Sequence, residues 1–370
     1  MTGKELPEGR LLSLDAFRGL TIAGMILVNN PGSWGHIYAP LRHAEWHGWT
    51  PTDLIFPFFL FIVGVAVPFS FGKRLTRGDS KGRLMGHVVR RSVILFALGL
   101  FLAAYPRFDL ANLRIMGVLQ RIGLVYLLAA SAFLFLDRKG RAWMAAALLL
   151  GYWALLMLVP VPGFGAGDLS PDGNLGAFLD RLILGDRLWR DTWDPEGLLS
   201  TLPAVATTLL GIFTGEWLRS GKSLRIRALG LLGGGVAGIA TGLLWSLSFP
   251  INKPLWTSSY VLFTAGAGLV LLSFFFWLME IRDLRAWAKP FVVYGMNAIT
   301  VFVASGLVAK QMGLIRVGVD EVPLKGWIYE QLFASWAGPV NGSLFFALSY
   351  VLIWLAIMWV LFDRRIFIKI

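Results

Sequence analysis

Residues 51–71 read "PTDLIFPFFLFIVGVAVPFSF". After Asp53 no charged side chain appears until Lys73. A run of that length and polarity can cross the hydrocarbon core of a bilayer as a helix. The same reading applies along the chain, at roughly 12–30, 51–71, 88–105, 117–136, 142–160, 197–218, 228–249, 257–279, 290–309 and 341–362. Of the 370 residues 56% are hydrophobic and 15% charged, with 16 Trp and 27 Phe. A soluble protein of this size cannot hide that much apolar surface. The fold class is therefore all-α, a polytopic membrane protein with about ten transmembrane helices. Cysteine is absent, which excludes disulfides, thiolate metal sites and a cysteine nucleophile. The opening "MTGKELPEGRLLSLDAFRG" lacks a small-residue cleavage site and reads as a retained first span, not a cleaved signal peptide.

The net charge of +12 is mostly topology. Of the 34 Lys and Arg, 22 fall in the N-terminus and in segments 73–91, 138–141, 219–227, 282–289 and 364–369, all on one side of the ten spans. Eleven fall on the other side, and Arg18 lies inside the first span. The positive-inside rule then places both termini in the cytoplasm and the loops 31–50, 162–196 and 310–340 outside. No nucleic-acid partner is needed to explain the charge. One transmembrane domain over residues 1–370 is expected. The outer loops mix Gly and Pro with apolar and aromatic residues ("VPVPGFGAGDLSPDG", "SWAGPVNG") and are expected to pack as lids. No internal repeat stands out, which weighs against transporters built from inverted repeats. "GLLGGGVAG" at 230–238 suits close helix packing.

Charges and amides inside spans are costly and point to function. Asp15 and Arg18, spaced i,i+3, share a helix face, and Asn29 returns to it about three turns later. They read either as an interfacial anchor or as a lined ligand path. The loop before the second span, "APLRHAEWHGWTPTDLIF", carries two of the four histidines, His43 and His47. Thr50-Pro51-Thr52-Asp53 has the form of a helix start, with Pro in the first turn and Asp favoured by the helix dipole. Asp53 is either a cap or the carboxylate that orients a nearby imidazole, as the acid of a catalytic triad does. The i,i+4 histidine spacing raises a metal site, but Gly48 follows His47 and no HExxH pattern exists, so no metal is expected. Gln120 and Arg121 in "MGVLQRIGLVY", Asn252, Lys253 and Tyr260 in "FPINKPLWTSSYV", and Asn297 in "PFVVYGMNAITVF" add polar groups on further helices. Each alone suits a buried structural role; together they form a polar interior.

The run "SLDAFRGLTIAGMILVNN…RHAEWHGWTPTDLIFPFFLFIVG" resembles the opening of the heparan-α-glucosaminide N-acetyltransferase family, including its bacterial NagX and YeiB-type relatives. The likeness continues in "VLQRIGLVYLLA", "WDPEGLLSTLPAVATTLLGIFTGEW", "INKPLWTSSYVLFTAGAG" and "YGMNAITVFVASG". The lysosomal enzyme's luminal extension has no counterpart, so the NagX-like branch is the nearer one. The resemblance implies a transmembrane acyltransferase that moves an acetyl group from cytosolic acetyl-CoA to the amine of a glucosamine-type sugar across the membrane. It also implies a bacterial inner membrane setting, an active-site lip facing the periplasm, and a homodimer.

The family's active histidine carries over onto His43, in Arg42-His43-Ala44-Glu45-Trp46-His47-Gly48, and its asparagine at the end of span one onto Asn29. His47 stands where the lysosomal enzyme has asparagine and inherits no role. In this chemistry His43 acts as general base or takes the acetyl group itself, Asn29 donates to the thioester oxygen, and Asp53 orients His43. Arg18, Arg91 and Asn297 are the candidates for CoA. Trp46, His47, Gln120, Arg121, Asn252 and Tyr260 are the candidates for the sugar, although Trp46 and Trp49 also suit interfacial anchoring. The rival from another class is a permease for amino sugars or N-acetylglucosamine, without covalent chemistry.

Overall fold

The computed structural model describes residues 11–368. The two chain ends, expected on the cytoplasmic side, lie outside the described residues. Eleven helices follow in order: α1 Leu12–Asn29, α2 Ile55–Thr76, α3 Lys81–Ala104, α4 Val118–Phe135, α5 Arg138–Leu158, α6 Leu175–Leu184, α7 Thr201–Leu218, α8 Leu224–Trp245, α9 Ser258–Phe276, α10 Lys289–Met296 and α11 Ala298–Leu314. After a short β-hairpin, Arg316–Val317 with Val322–Pro323, and two brief helical turns, the last long helix is Pro339–Asp363. The all-α polytopic class holds.

Among the described residues eight helices are long and apolar enough to cross a membrane. A ninth arises if the pair Ala286–Met296 and Ala298–Leu314, bent by 72°, counts as one span. The expected span at 290–309 is thus broken at Asn297, whose backbone leaves the helical region between α10 and α11. The expected span at 197–218 is α7, whose four threonines and Glu216 dilute its apolar content. The 162–196 stretch also contains α6, capped by the Asn174 side chain, which accepts from Ala177 N at 2.8 Å.

By contact density the chain divides into two compact units. The first comprises the chain up to Ile37, Lys222–Leu232 and the chain from Leu269; the second comprises Tyr38–Gly221 and Gly233–Gly268. In the first, α1 packs on α10, where a Cβ on Gly295 would lie 2.3 Å from the Asp15 carbonyl oxygen. Tyr350 Oη donates to Ser305 O at 2.6 Å, and Tyr294 Oη donates to Val351 O, tying the last helix to its neighbours.

The second unit is organised on α2 and α7. A Cβ on Gly64 would sit 2.1 Å from Thr208 O, and one on Gly211 would sit 2.1 Å from Phe61 O. The two backbones therefore touch, and only hydrogen fits at those positions. Lipid tails are as apolar as Leu, so helices in a bilayer gain little from burying oil and associate through such close van der Waals contact. Thr208 Oγ1 adds a cross-helix hydrogen bond to Leu60 O at 3.1 Å. The glycine stretch at 230–238 meets α9 in the same manner: a Cβ on Gly266 would lie 2.7 Å from Gly235 O.

Gly64→Ala should therefore lower the thermal midpoint in detergent by an amount equivalent to about 1–3 kcal/mol, the usual cost of overpacking. Gly151→Ala on α5, where a Cβ meets nothing within 4 Å, should be neutral or mildly stabilising. Equal midpoints for the two variants would remove the close-contact argument.

Candidate functional site

The helix start that leads into α2 builds the candidate site. Pro51–Leu54 forms a short 3₁₀ turn, and Asp53, 1% exposed, is its third residue. Its two carboxylate oxygens have different partners. Oδ2 accepts from Thr50 N at 3.0 Å, from Thr50 Oγ1 at 3.2 Å and from Ala44 N at 3.0 Å. That oxygen caps the turn and pins the preceding loop to it. Oδ1 faces the opposite way and lies 2.6 Å from His43 Nδ1. An ionised carboxylate only accepts, so Nδ1 carries a proton, and in the neutral ring the lone pair is on Nε2. The His43 side chain is 51% exposed, so the lone pair is open to a reactant.

A second segment, residues 249–260, closes in from behind. Asn252 is fully buried, and its Nδ2 donates to Trp46 O at 2.9 Å and lies 3.3 Å from His47 Nδ1. Its Oδ1 accepts from Leu255 N at 2.8 Å. Gly48 N donates to Ile251 O at 2.8 Å, and Tyr260 Oη donates to Asp53 O at 2.5 Å. Asn252 and Tyr260, read from the sequence as sugar ligands, thus direct these groups at the loop and at the capping turn. Lys253, between Asn252 and Pro254, brings its Nζ to 3.0 Å from His43 Nδ1 and 3.4 Å from Nε2. The same Nζ is 3.4 Å from Asp53 Oδ1.

His43 and His47 point to different partners, Asp53 and Asn252. Partial burial lowers the His47 imidazole from its usual value. Trp46 is half-buried; its Nε1 donates to Leu169 O at 2.8 Å, and its ring meets Trp193 edge-on at 5.1 Å. Both tryptophans line a narrow, partly open cleft, with Asp180, Asp194 and Ser200 on its polar side.

Arg121 is 0% exposed and lies beneath the 194–200 segment. Its Nη2 donates to Ser200 Oγ at 2.5 Å and to Gly197 O at 3.1 Å, and the guanidinium lies 5.1 Å over the Trp256 ring. Its Nε and Nη1 are buried with no hydrogen-bond partner among the described residues. Gln120 is buried in a notch where a Cβ on Gly99 would lie 2.1 Å from its Oε1. Arg91, on α3, rests 4.8 Å over the Tyr126 ring with a buried, unpartnered Nε.

The remaining candidates belong to the first unit. Arg18 Nη1 donates to Asp15 Oδ1 at 2.9 Å. Asn29 ends α1 in an exposed position, whereas Asn30 is buried and donates from Nδ2 to Ile26 O at 2.8 Å. Asn297 Nδ2 donates to Ile366 O at 3.0 Å, and its Oδ1 accepts from Ile368 N at 2.9 Å, so this amide holds the C-terminal segment at the helix break.

Sequence reasoning left an acidic cluster unnoticed. Arg114 grips Asp194 with two nitrogens, Nε to Oδ2 at 2.8 Å and Nη2 to Oδ1 at 2.5 Å, and Nη2 also reaches Glu196 Oε2 at 2.5 Å. Paired carboxylates around "DPEG" in a chain this poor in acidic residues were the available signal. Asp180, 3% exposed, accepts from Leu198 N at 2.8 Å, and burial pushes its carboxyl up to about 6. A carboxyl raised in the folded state favours folding when protonated. That advantage is full below the ordinary value near 4 and is lost as pH rises through about 6.

Fold and site together define a polytopic α-helical membrane protein with an open imidazole set on a buried carboxylate at a helix start. The family model described as heparan-alpha-glucosaminide N-acetyltransferase, catalytic, matches residues 10–240, and the chain belongs to that family. Heparan-alpha-glucosaminide N-acetyltransferase of Homo sapiens is 28% identical over 419 residues, covering 98% of this chain and 60% of the human protein. The Mus musculus enzyme is 29% identical with the same coverage. The chain thus spans about 60% of the length of these relatives.

Asp180→Asn keeps the acceptor for Leu198 N and removes the titration. The wild-type thermal midpoint in detergent should rise between pH 7.5 and pH 5 relative to that of the variant, by the equivalent of on the order of 3 kcal/mol at most. Parallel pH profiles for the two proteins would show that Asp180 does not titrate in this range.

Proposed function

We propose that this chain is a transmembrane N-acetyltransferase that moves the acetyl group of acetyl-CoA to the amine of a glucosamine-type sugar, with His43 at the centre of the transfer. The observation that carries this reading is the half-exposed His43 ring, its Nδ1 2.6 Å from the buried Asp53 carboxylate, in a chain of this family. Asp53 fixes the tautomer and stabilises the imidazolium when Nε2 takes a proton. An amine attacking a thioester carbonyl must shed a proton as the C–N bond forms, and Nε2 is placed to receive it. The same lone pair can instead accept the acetyl group and pass it on.

The thioester donor is acetyl-CoA, entering from the cytosol, and the sugar arrives from the opposite, periplasmic side of a bacterial inner membrane. Arg91, with its unsatisfied Nε, is a fit for a phosphate or carbonyl oxygen of the donor. Trp46 and Trp193, meeting at 73°, offer apolar edges and faces to a sugar ring, and Asp180, which takes one backbone donor, offers an acceptor for a hydroxyl.

The test is purified protein in detergent with acetyl-CoA and glucosamine, following free thiol and N-acetylated sugar. Wild type should release thiol in step with product, and His43→Ala should lose roughly 10²–10⁴ of the rate. Thiol release that ignores His43→Ala would sink the reading, and sugar flux in vesicles without thiol release would favour the permease. A burst of thiol without sugar, in proportion to protein, would identify the acetyl-histidine route.

A further inference from the structure

Lys253 is the cation nearest the reacting nitrogen, and the fold fixes it there. It sits in a tight turn: Trp256 N donates to Lys253 O at 3.0 Å, and the buried Asn252 side chain closes the turn by accepting from Leu255 N at 2.8 Å. Trp256, at φ +53 with a 1% exposed ring, holds the far end of the turn. Asp53 already has four donors in place: three on Oδ2 and the His43 N–H on Oδ1. Because His43 Nδ1 carries that proton, it offers the ammonium no lone pair. The acceptor left near Nζ is Asp53 Oδ1, at the long distance of 3.4 Å, while Nζ stands beside the ring, 3.0 Å from Nδ1 and 3.4 Å from Nε2 and off the axis of the Nε2 lone pair. An ammonium has three N–H donors, so Lys253 has hydrogen-bonding capacity directed at the imidazole edge that the protein leaves weakly used. A salt bridge serving only to hold Asp53 would not need Nζ alongside both ring nitrogens.

We propose that Lys253 is the general acid of the transfer, donating a proton from Nζ to the sulfur as the thiol leaves; this rests on the acetyltransferase reading above. The steps balance. The amine nitrogen attacks the thioester carbonyl carbon, and His43 Nε2 takes one of its protons as the C–N bond forms. The C–S bond then breaks, and Lys253 Nζ protonates the departing sulfur. The His43 side chain is half-exposed, so Nε2–H gives its proton to water and the neutral lysine takes one from water, restoring both groups. Amine and thioester become amide and thiol with no other reactant. Burial pulls the lysine pKa down, with Asp53 and Glu196 opposing it, which makes the ammonium a readier donor than a lysine in water.

The test varies the leaving group. Two small donors are compared with glucosamine as acceptor, following the amide product: S-acetyl-N-acetylcysteamine, whose alkyl thiolate needs a proton to leave, and S-phenyl thioacetate, whose aryl thiolate leaves without one. Lys253→Met should lose roughly 10²–10⁴ with the alkyl donor and less than about tenfold with the aryl donor. Lys253→Arg retains the positive charge but is a far weaker acid, and should show the same split. Equal losses with both donors, for variants whose thermal midpoints match wild type, would overturn the proposal and leave Lys253 as a residue that positions His43. Failure of the underlying reading looks different: wild type and His43→Ala would then form no amide from either donor.

Discussion

Asp53 is the joint on which the described site turns. One carboxylate stops the second unit's main helix from fraying and holds a catalytic-type imidazole, and it does both by giving each oxygen a separate set of donors. The capping oxygen takes two backbone N–H groups and a hydroxyl from residues 44 and 50, so the loop carrying His43 cannot drift from the helix start. The other oxygen is then aimed, without further ordering, at His43 and Lys253. A buried carboxylate is stable only when its lone pairs are met, so folding of the loop and assembly of the site are one event.

Around that joint the protein uses contacts of two kinds. Between helices, contact is made by small residues that let backbones meet, as at Gly64 and Gly211. Between the connecting segments of the second unit, contact is polar and often charged. Arg114 clamps Asp194 and Glu196, Arg121 ties Gly197 and Ser200, and Trp46 Nε1 reaches Leu169 O. Outside the apolar segments many backbone groups must be satisfied, and hydrogen bonds carry the order there together with a small apolar cluster that includes Val161, Leu175 and Phe249.

The helices were largely legible because hydropathy depends only on local composition: each expected span coincides with a helix or, at 290–309, with a bent pair. Asn297 marks where that reasoning stops. An amide inside an apolar run looks like a ligand group, yet this one holds Ile366 and Ile368, partners some seventy residues away. The pairing of His43 with Asp53 was readable because the residues are ten apart and flank a helix start. Lys253 was visible only as one polar residue among several, since nothing local links residue 253 to residue 43. Asp180 and the Arg114 clamp were missed for the same reason: their meaning lies in contacts that span 18 to 82 residues of sequence.

The split between glycine contacts and charged clamps has a consequence for handling the protein. Acid strong enough to protonate carboxylates acts on the clamps and leaves the glycine contacts untouched, whereas salt screens pairs this buried only weakly. Solvent conditions can therefore loosen the cover over the Trp46 cleft while the helical scaffold keeps its circular-dichroism signature.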